Sequence, residues 1–346
     1  MQVISGKYYD FNNVLILPKR SRLGSRSEVV LEKTVKFLHS GFEWTGIPIM
    51  AANMDTTGTF EMYNVLKRFK MITVLHKQYK IEDYPDSLDP NYYSLSTGVS
   101  ESDWEKIVTL IAKLNPHFLT IDVANGYSTK FVEFCKRVRE AYPKLTIIAG
   151  NVATGDMVQE LLLTARVDVV KCGIGSGSVC STRIKTGVGV PQLSVCLNCS
   201  EVANGLNGHI VSDGGCTIPA DVAKAFGAGA HFVMLGGMLS GHDESGGDTI
   251  IEHGNRYKLF YGMSSKHAQD KHNGGLQSYR SCEGKVKKIP YKGKVEETIL
   301  DLLGGLRSTG TYIGAGRIKD FPKCCSFIEV SQQVNNVYDS RVHNIN

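Results

Sequence analysis

The sequence predicts an α/β fold, specifically a TIM (β/α)8 barrel with an N-terminal extension and a long insertion after its eighth strand. Short apolar runs alternate with amphipathic segments, which is typical of parallel α/β proteins. Eight such units fit into about 250 residues, the usual size of this barrel. A doubly wound sheet is the alternative, but Gly173, Gly175 and Gly177 lack the spacing of a dinucleotide fingerprint and follow the sixth strand.

The individual elements follow from the same alternation. The eight strands are predicted from short apolar runs and cover residues 47–52, 72–76, 93–96, 118–122, 146–149, 168–171, 210–213 and 231–235. Apolar residues at helical spacing predict helices over residues 60–69, 103–113, 130–141, 157–165, 192–203, 220–226 and 295–303. The second connection, through residues 81–84, is short and is not predicted to be a full helix.

We expect residues 1–346 to form one catalytic domain, in which residues 1–46 are the N-terminal extension. Residues 236–292 are too long for a plain loop. Within them, residues 249–252 and 256–261 flank His253-Gly254-Asn255, which predicts a hairpin. Residues 277–294 are polar and rich in Lys and Gly, so we expect an active-site flap there.

Composition narrows the function class. The chain has 39 Lys and Arg residues against 34 Asp and Glu residues, a formal net charge of +5, and most basic residues are scattered. This pattern favours an enzyme for anionic nucleotides over a nucleic-acid binder. No apolar run is long enough to cross a membrane. The odd number of cysteines and the missing secretory signal favour a cytoplasmic location.

Two cysteines have the spacing of a metal-binding pair. Cys196 and Cys199 are separated by two residues, as in many zinc sites. However, they lie in a predicted helix, and no second pair accompanies them. A zinc site is therefore not favoured at this position.

Residues 173–183 are the most informative stretch of the chain. Three glycines in it would let backbone amides approach a phosphate closely. Cys180 ends this loop, and Thr182 follows two residues later. A thiol beside an anion site is a candidate nucleophile for a phosphorylated substrate. The alternative is that Cys180 is an inert buried thiol, as an isolated cysteine usually is.

Paired glycines follow two consecutive predicted strands, at the ends where a TIM barrel often binds phosphate. Together with Ser178 they predict a phosphate site formed by Gly214, Gly215, Gly236 and Gly237. Asp213 precedes the first pair and would repel a phosphate, so it is better suited to accept hydrogen bonds from a ribose diol. The alternative role for Asp213 is the N-cap of the helix that contains Asp221.

These segments resemble the IMP dehydrogenase and GMP reductase superfamily, and its GMP reductase branch most closely. Residues 11–21, 52–60, 122–127 and 260–265 carry the resemblance along nearly the whole chain. No insertion of paired CBS modules follows the second strand, and the flap lacks the Arg-Tyr pair with which the dehydrogenase activates water. Ser176, Ser181 and Gly310 depart from the family pattern, which usually has proline, threonine and cysteine there.

The resemblance implies NADPH-dependent reductive deamination of GMP to IMP and ammonia, through a thioimidate at purine C2. It assigns Cys180 as the nucleophile and Thr182 as a proton relay, with Glu283 behind it. It implies further substrate contacts from the phosphate loops, from Asp213 and from two later segments, namely Gly262, Met263, Ser264, Arg280, Ser281, Cys282, Glu283 and Gly284.

The resemblance also implies NADPH, a monovalent cation (K⁺) and a homotetramer. The cofactor contacts would be Ser25, Arg26, Lys77, Asp122, Val123, Ala124, Gly173, Ile174, Met263, Tyr279, Arg280, Ser308, Thr309, Gly310, Thr311 and Tyr312. Ser25 and Arg26 would reach the adenosine end of a cofactor on a neighbouring subunit, and an arginine suits a 2′-phosphate. The cation would be held by backbone oxygens at Gly175, Gly177, Cys180 and Arg183.

Three other functions remain open at this point. An IMP dehydrogenase would share the cysteine but make XMP. A non-catalytic nucleotide sensor would need no reactive groups, and the presence of Cys180, Thr182 and Glu283 argues against it. The third alternative is a general phosphosugar-binding barrel enzyme, which the cysteine loop does not favour. We expect neither a nucleic-acid nor a membrane partner.

Overall fold

The computed structural model describes residues 3–275 and 281–331 and shows a closed barrel of eight parallel strands. The strands follow one another around the barrel in chain order, and the eighth pairs with the first. They are β1 (Ile49–Ala51), β2 (Ile72–Val74), β3 (Tyr93–Thr97), β4 (Phe118–Asp122), β5 (Thr146–Val152), β6 (Val169–Cys172), β7 (His209–Asp213) and β8 (Phe232–Leu235). The prediction of a TIM barrel is confirmed.

Helices surround the barrel and connect its strands. They are α1 (Phe60–Leu66), α2 (Glu101–Leu114), α3 (Thr129–Ala141), α4 (Gly155–Leu163), α5 (Thr182–Thr186), α6 (Gln192–Gly205), α7 (Pro219–Gly227), α8 (Lys266–Asn273), α9 (Val295–Ile313) and α10 (Phe321–Cys324). The short connection after β2 contains only a 3-10 turn, Ile81–Asp83. Among the described residues, no helix is both long and apolar enough to span a membrane.

The predicted end of α9 at residue 303 is wrong, because this helix continues to Ile313. Small polar residues dilute the apolar pattern in its second half, but Leu306, Gly310 and Ile313 remain buried on the same side. A Cβ atom at Gly310 would lie 2.7 Å from Cγ1 of Val29, so the glycine allows α9 to pack closely against the N-terminal extension.

Part of the N-terminal extension closes the amino-terminal end of the barrel. The antiparallel strands Lys33–Lys36 and Glu43–Gly46 place Phe37 and Trp44 in the same apolar cluster as the barrel interior. Their rings contact Phe232 of β8 at centroid distances of 6.2 and 5.5 Å. The interior is therefore packed from below, and the carboxyl ends of the strands remain as the open end.

A buried carboxylate fixes this N-terminal segment to the barrel. Asp168 is fully buried; its Oδ1 accepts hydrogen bonds from the backbone amides of His39 and Ser40, each at 2.9 Å. Its Oδ2 lies 2.5 Å from Nη2 of Arg139 and accepts the amide of Ile147 at 3.0 Å. The segment between the two N-terminal strands is therefore held by backbone hydrogen bonds to a charged group.

The insertion after β8 contains the predicted hairpin. β9 (Thr249–Glu252) and β10 (Asn255–Tyr261) are antiparallel, and the turn residues His253 and Gly254 have positive φ angles of 49° and 78°. Within residues 277–294, where we expect an active-site flap, β11 (Val286–Pro290) pairs with β10 as a third strand.

Candidate active site

A cleft of about 790 Å³ opens at the carboxyl ends of the barrel strands. Residues from several separate segments of the sequence line it together. The predicted site residues among them are Lys77, Asp122, Val123, Ala124, Gly173, Ile174, Gly175, Gly177, Cys180, Thr182, Asp213, Gly262, Met263, Ser264, Glu283 and Gly284. The fold therefore gathers the three predicted catalytic residues and fewer than half of the predicted nucleotide and cofactor contacts into one cavity.

Three predicted catalytic side chains form a hydrogen-bonded chain in the cleft. Sγ of Cys180 donates to Oγ1 of Thr182 at 3.2 Å. The Thr182 hydroxyl in turn donates to Oε2 of Glu283 at 2.7 Å. A thiol, a hydroxyl and a carboxylate in this order can pass a proton along the chain.

Backbone pairing holds this chain together across about a hundred residues of sequence. The amide of Ser181 donates to the carbonyl of Glu283, and the amide of Lys285 donates to the carbonyl of Val179, both at 2.8 Å. A Cβ atom at Gly284 would lie 2.6 Å from the backbone nitrogen of Ser265, so a glycine is needed for this close approach. The segment that carries Glu283 is therefore positioned by the nucleophile loop.

The loops after β6, β7 and β8 converge beside the cleft. A Cβ atom at Gly214, which has a φ of +92°, would lie 2.6 Å from Oγ of Ser176. A Cβ atom at Gly237 would lie 2.8 Å from Oγ of Ser178. Ser178 and the glycine pairs therefore occupy one region, as a shared phosphate site requires.

The alternative role for Asp213, as a helix N-cap, is wrong. α7 begins at Pro219 with Ile218 as its N-cap residue. The Asp221 carboxylate accepts the backbone amides of Thr217 and Ile218, at 2.9 and 3.3 Å. Asp213 instead ends β7 and lines the cleft.

Asp213 and Asp122 share one buried lysine. Nζ of Lys171 contacts Oδ2 of Asp213 and lies 3.0 Å from Oδ1 of Asp122 and 2.7 Å from Oδ1 of Asn151. Burial would raise the pKa of Asp122, but the charge of Lys171 and the Asn53 amide outweigh it and hold this pKa below its usual value. Burial opposes the charged lysine as well, yet the two carboxylates raise the pKa of Lys171. Asp122 and Lys171 are therefore both ionised at neutral pH.

The carboxylate of Asp55 supports the segment that carries Gly262, Met263 and Ser264. Asp55 is buried and accepts hydrogen bonds at Oδ2 from the Tyr261 hydroxyl and from Nε2 of His272, each at 2.7 Å. Burial would raise the pKa of Asp55, but these two hydrogen bonds and the nearby Lys271 keep it below its usual value.

Several predicted contacts lie outside the lining of the cleft. Ser25 and Arg26 lie at the start of a 3-10 turn (Arg26–Glu28) that packs against α9. Ser308, Thr309, Gly310, Thr311 and Tyr312 lie on α9 itself, so these two predicted cofactor groups share one region of the surface. Ser281 and Cys282 immediately precede Glu283, whereas Tyr279 and Arg280 lie outside the described residues.

Comparison with known proteins agrees with this geometry. The family model described as "IMP dehydrogenase / GMP reductase domain" matches residues 86–343. The chain belongs to the IMP dehydrogenase / GMP reductase family. Curated relatives named GMP reductase, from Salmonella typhi, Salmonella newport and Salmonella heidelberg, are each 54% identical over 338 residues. Each match covers 95% of this chain and 97% of the relative.

Two glycines of the loop after β6, which the resemblance places at the cofactor and at the cation, have no room for a side chain. Gly173 has no room for a side chain, because a Cβ atom there would lie 2.0 Å from the Asp213 carbonyl oxygen. Its backbone therefore lies open to the cleft beside Val123 and Ala124. At Gly175, with a φ of +81°, a Cβ atom would lie 2.5 Å from Cγ of Arg183. The loop therefore packs tightly against this arginine.

Sequence reasoning missed three polar residues at the strand ends of this family member. Asn53 donates to Oδ2 of Asp122 at 2.8 Å, and Asn151 donates to Oδ2 of Asp213 at 2.8 Å. Lys171 lies between the two carboxylates. A lysine at the end of an otherwise apolar barrel strand is a signal that could have identified the third residue, because strand ends carry the chemistry in this fold.

Proposed function

We propose that this protein is a GMP reductase that converts GMP to IMP and ammonia with NADPH, within purine nucleotide salvage. The hydrogen-bonded chain from Cys180 through Thr182 to Glu283 carries the proposal, since it sets a nucleophile beside a proton relay in the cleft. The relatives named GMP reductase, at 54% identity over nearly the full chain, support the same reaction.

The chemistry assigns a separate task to each side chain. The Cys180 thiolate forms a bond to purine C2, which gives a covalent thioimidate when the C2–N bond breaks. The departing amino group needs a proton to leave as ammonia. Glu283, protonated by solvent for this step, would pass its proton through the Thr182 hydroxyl and return to the carboxylate that accepts the Thr182 hydrogen bond. After C2 has received a hydride, the carbon–sulfur bond breaks, the thiolate leaves and IMP is released.

The protein binds and orients its ligands through the neighbouring loops. Ser178, Gly214, Gly215, Gly236 and Gly237 would hold the substrate phosphate, and Asp213 would accept the ribose hydroxyls. Gly262, Met263, Ser264, Arg280, Ser281, Cys282 and Gly284 would close over the phosphate and the base. These contacts fix C2 opposite the thiolate, and this positioning supplies much of the rate.

NADPH supplies the hydride when it is bound. Lys77, Asp122, Val123, Ala124, Gly173, Ile174, Met263, Tyr279 and Arg280 would hold its nicotinamide half in the cleft. A monovalent cation, K⁺ in our proposal, would be held by the carbonyl oxygens of Gly175, Gly177, Cys180 and Arg183. By orienting those carbonyls, it would fix the loop that carries the nucleophile.

We further propose a cytoplasmic homotetramer. Ser25, Arg26 and the residues of α9 from Ser308 to Tyr312 lie in one region outside the cleft. Tyr312 is 64% exposed there, so this region is accessible to a second subunit. It would contact the adenosine end of NADPH bound to that subunit.

The test is a direct assay of the purified protein. GMP should cause the NADPH absorbance band to disappear, with IMP and ammonia formed in equal amounts, as measured by chromatography and an ammonia assay. IMP and NAD⁺ should give no XMP. Formation of XMP without reduction of GMP would replace this proposal with an IMP dehydrogenase, and no reaction with either nucleotide would favour a nucleotide sensor.

A further inference from the structure

Lys171 is enclosed more completely than the groups that it contacts. Its side chain is 4% exposed, compared with 31% for Asp122 and 21% for Asp213. All three side chains line the cleft, and the Lys171 ammonium group, near the end of β6, lies between Asp122 at the end of β4 and Asp213 at the end of β7. One ammonium group therefore neutralises two carboxylates that belong to separate strands.

The amides around this ion cluster give it a fixed geometry. Asn151 accepts from Nζ of Lys171 at 2.7 Å and donates to Oδ2 of Asp213 and to the Gly173 carbonyl, both at 2.8 Å. Asn53 donates to the remaining oxygen of Asp122 at 2.8 Å. Each carboxylate thus has one oxygen on the lysine, and neither can rotate without breaking hydrogen bonds to the lysine or an amide.

We propose that Lys171 is a positioning residue that couples the two halves of the cleft, because it holds the ribose-side carboxylate Asp213 and the cofactor-side carboxylate Asp122 through a single ammonium group. The inference rests on the proposed function, which takes Asp213 as the ribose contact and Asp122 as a nicotinamide contact. It adds that both carboxylates keep their places only while the Lys171 ammonium group lies between them.

The physical reason is electrostatic. Without the lysine, two carboxylates that share a buried space would repel each other, as like charges at such distances do. One of them must then move or take up a proton, so the ribose contact is lost even though Asp213 itself is unchanged. Removing the charge of Asp122 as well relieves this repulsion and leaves Asp213 with its Asn151 hydrogen bond.

Binding of IMP, measured by calorimetry on the purified protein, tests this coupling. Lys171→Met should weaken IMP binding by at least ~10-fold, because it removes one partner of a buried charged group. Asp122→Asn alone should change it by less than ~3-fold, since Lys171 still holds Asp213. The double variant Lys171→Met/Asp122→Asn should bind IMP at least ~5-fold more tightly than Lys171→Met alone.

A matched control separates this effect from a general loss of packing. Lys224 is also buried and donates to the Phe11 carbonyl at 2.9 Å, but it does not line the cleft. Lys224→Met should therefore leave IMP affinity within ~2-fold of wild type, even where it lowers the melting temperature.

Each outcome decides the inference. Unchanged IMP binding in folded Lys171→Met, or a double variant no better than Lys171→Met, overturns it. If Lys171→Met does not fold, recovery of folding by the added Asp122→Asn supports the charge coupling, and a double variant that also fails to fold overturns it. Wild-type protein that binds neither GMP nor IMP overturns the proposed function itself.

Discussion

At the scale of single residues, the proposed chemistry depends on three side chains from two distant parts of the chain. Thr182 lies between Cys180 and Glu283 and links their side chains by hydrogen bonds. The thiol supplies the bond to carbon, whereas the carboxylate supplies the proton. Substitutions at the two ends should therefore fail in different ways.

Replacing the nucleophile should abolish turnover without abolishing binding. Cys180→Ala removes the sulfur that bonds to C2 but leaves the phosphate and ribose contacts intact, so GMP should still bind by calorimetry while NADPH oxidation stops. Cys324→Ala is the matched control, since that partly exposed cysteine lies on α10, outside the lining of the cleft. Turnover of Cys180→Ala within tenfold of wild type would rule out covalent catalysis.

Replacing the carboxylate should slow deamination more than hydride transfer. Glu283→Gln keeps the hydrogen bond to Thr182 but cannot supply a proton, so the steady-state rate should fall by about 10²–10⁴-fold, the usual contribution of a positioned acid. In the reverse direction, IMP and NADP⁺ form the thioimidate by hydride transfer, so stopped-flow absorbance should still show a burst of NADPH. Loss of the burst with both ligands bound would mean that Glu283 serves both steps.

The sequence predicted these three residues, because the loop glycines and the family motif can be recognised in the sequence itself. The structure brings the three side chains together. The sequence did not predict Lys171, Asn53 or Asn151 as parts of the site. Their importance comes from convergence of β1, β4, β5, β6 and β7 around one point. Such convergence depends on which strand ends meet in space, and no local pattern records it.

At the scale of elements, backbone pairing decides how the site is assembled. The segment at Glu283–Lys285 pairs with the nucleophile loop and leads directly into β11, which is hydrogen-bonded to β10. The sequence analysis did not predict this strand, because the adjacent Lys287 and Lys288 interrupt its apolar residues and its pairing partner lies about thirty residues earlier. The length of α9 was underestimated for a related reason. After residue 303 the apolar pattern weakens, and this part of the helix packs through Gly310 against Val29, which is distant in the sequence.

Removing the buried carboxylate beneath the barrel should destabilise the fold without touching the cleft. Asp168→Ala leaves the Arg139 charge buried and two backbone amides of residues 39–40 without an acceptor, so the free energy of unfolding should fall by about 3–5 kcal/mol. Urea denaturation measures this loss. KM for GMP should stay near the wild-type value below the unfolding transition, and a large change in KM would show that the two ends of the barrel are coupled.

At the scale of the whole molecule, the packed core and the cleft lie at opposite ends of the barrel. The N-terminal hairpin fills the amino-terminal end with aromatic side chains, while the loops that line the cleft occupy the other end. The sequence predicted this architecture well, because eight strand–helix units in chain order admit few arrangements. This fold places packing at the amino-terminal end of the barrel and the candidate site at the carboxyl end of its strands.

The arrangement of the loops makes a prediction about the substrate as a whole. Guanosine lacks the phosphate that the region around Ser178 and Gly237 would hold. Because phosphate binding positions the base for attack, guanosine should have a lower kcat and a higher KM than GMP. Steady-state kinetics with GMP and guanosine measure this difference. Similar kcat/KM values for the two would remove the anchoring role from these loops.

The hairpin at the amino-terminal end also has a consequence for how the chain is made. Residues 33–46 leave the ribosome before β8, and Phe37 and Trp44 pack against Phe232, which is synthesised almost two hundred residues after them. Until then, these aromatic rings have no complete partner surface, and exposed apolar surface of this kind promotes aggregation. Translation that stops before β8 therefore yields a nascent chain whose hairpin rings stay partly uncovered, and such a chain should aggregate.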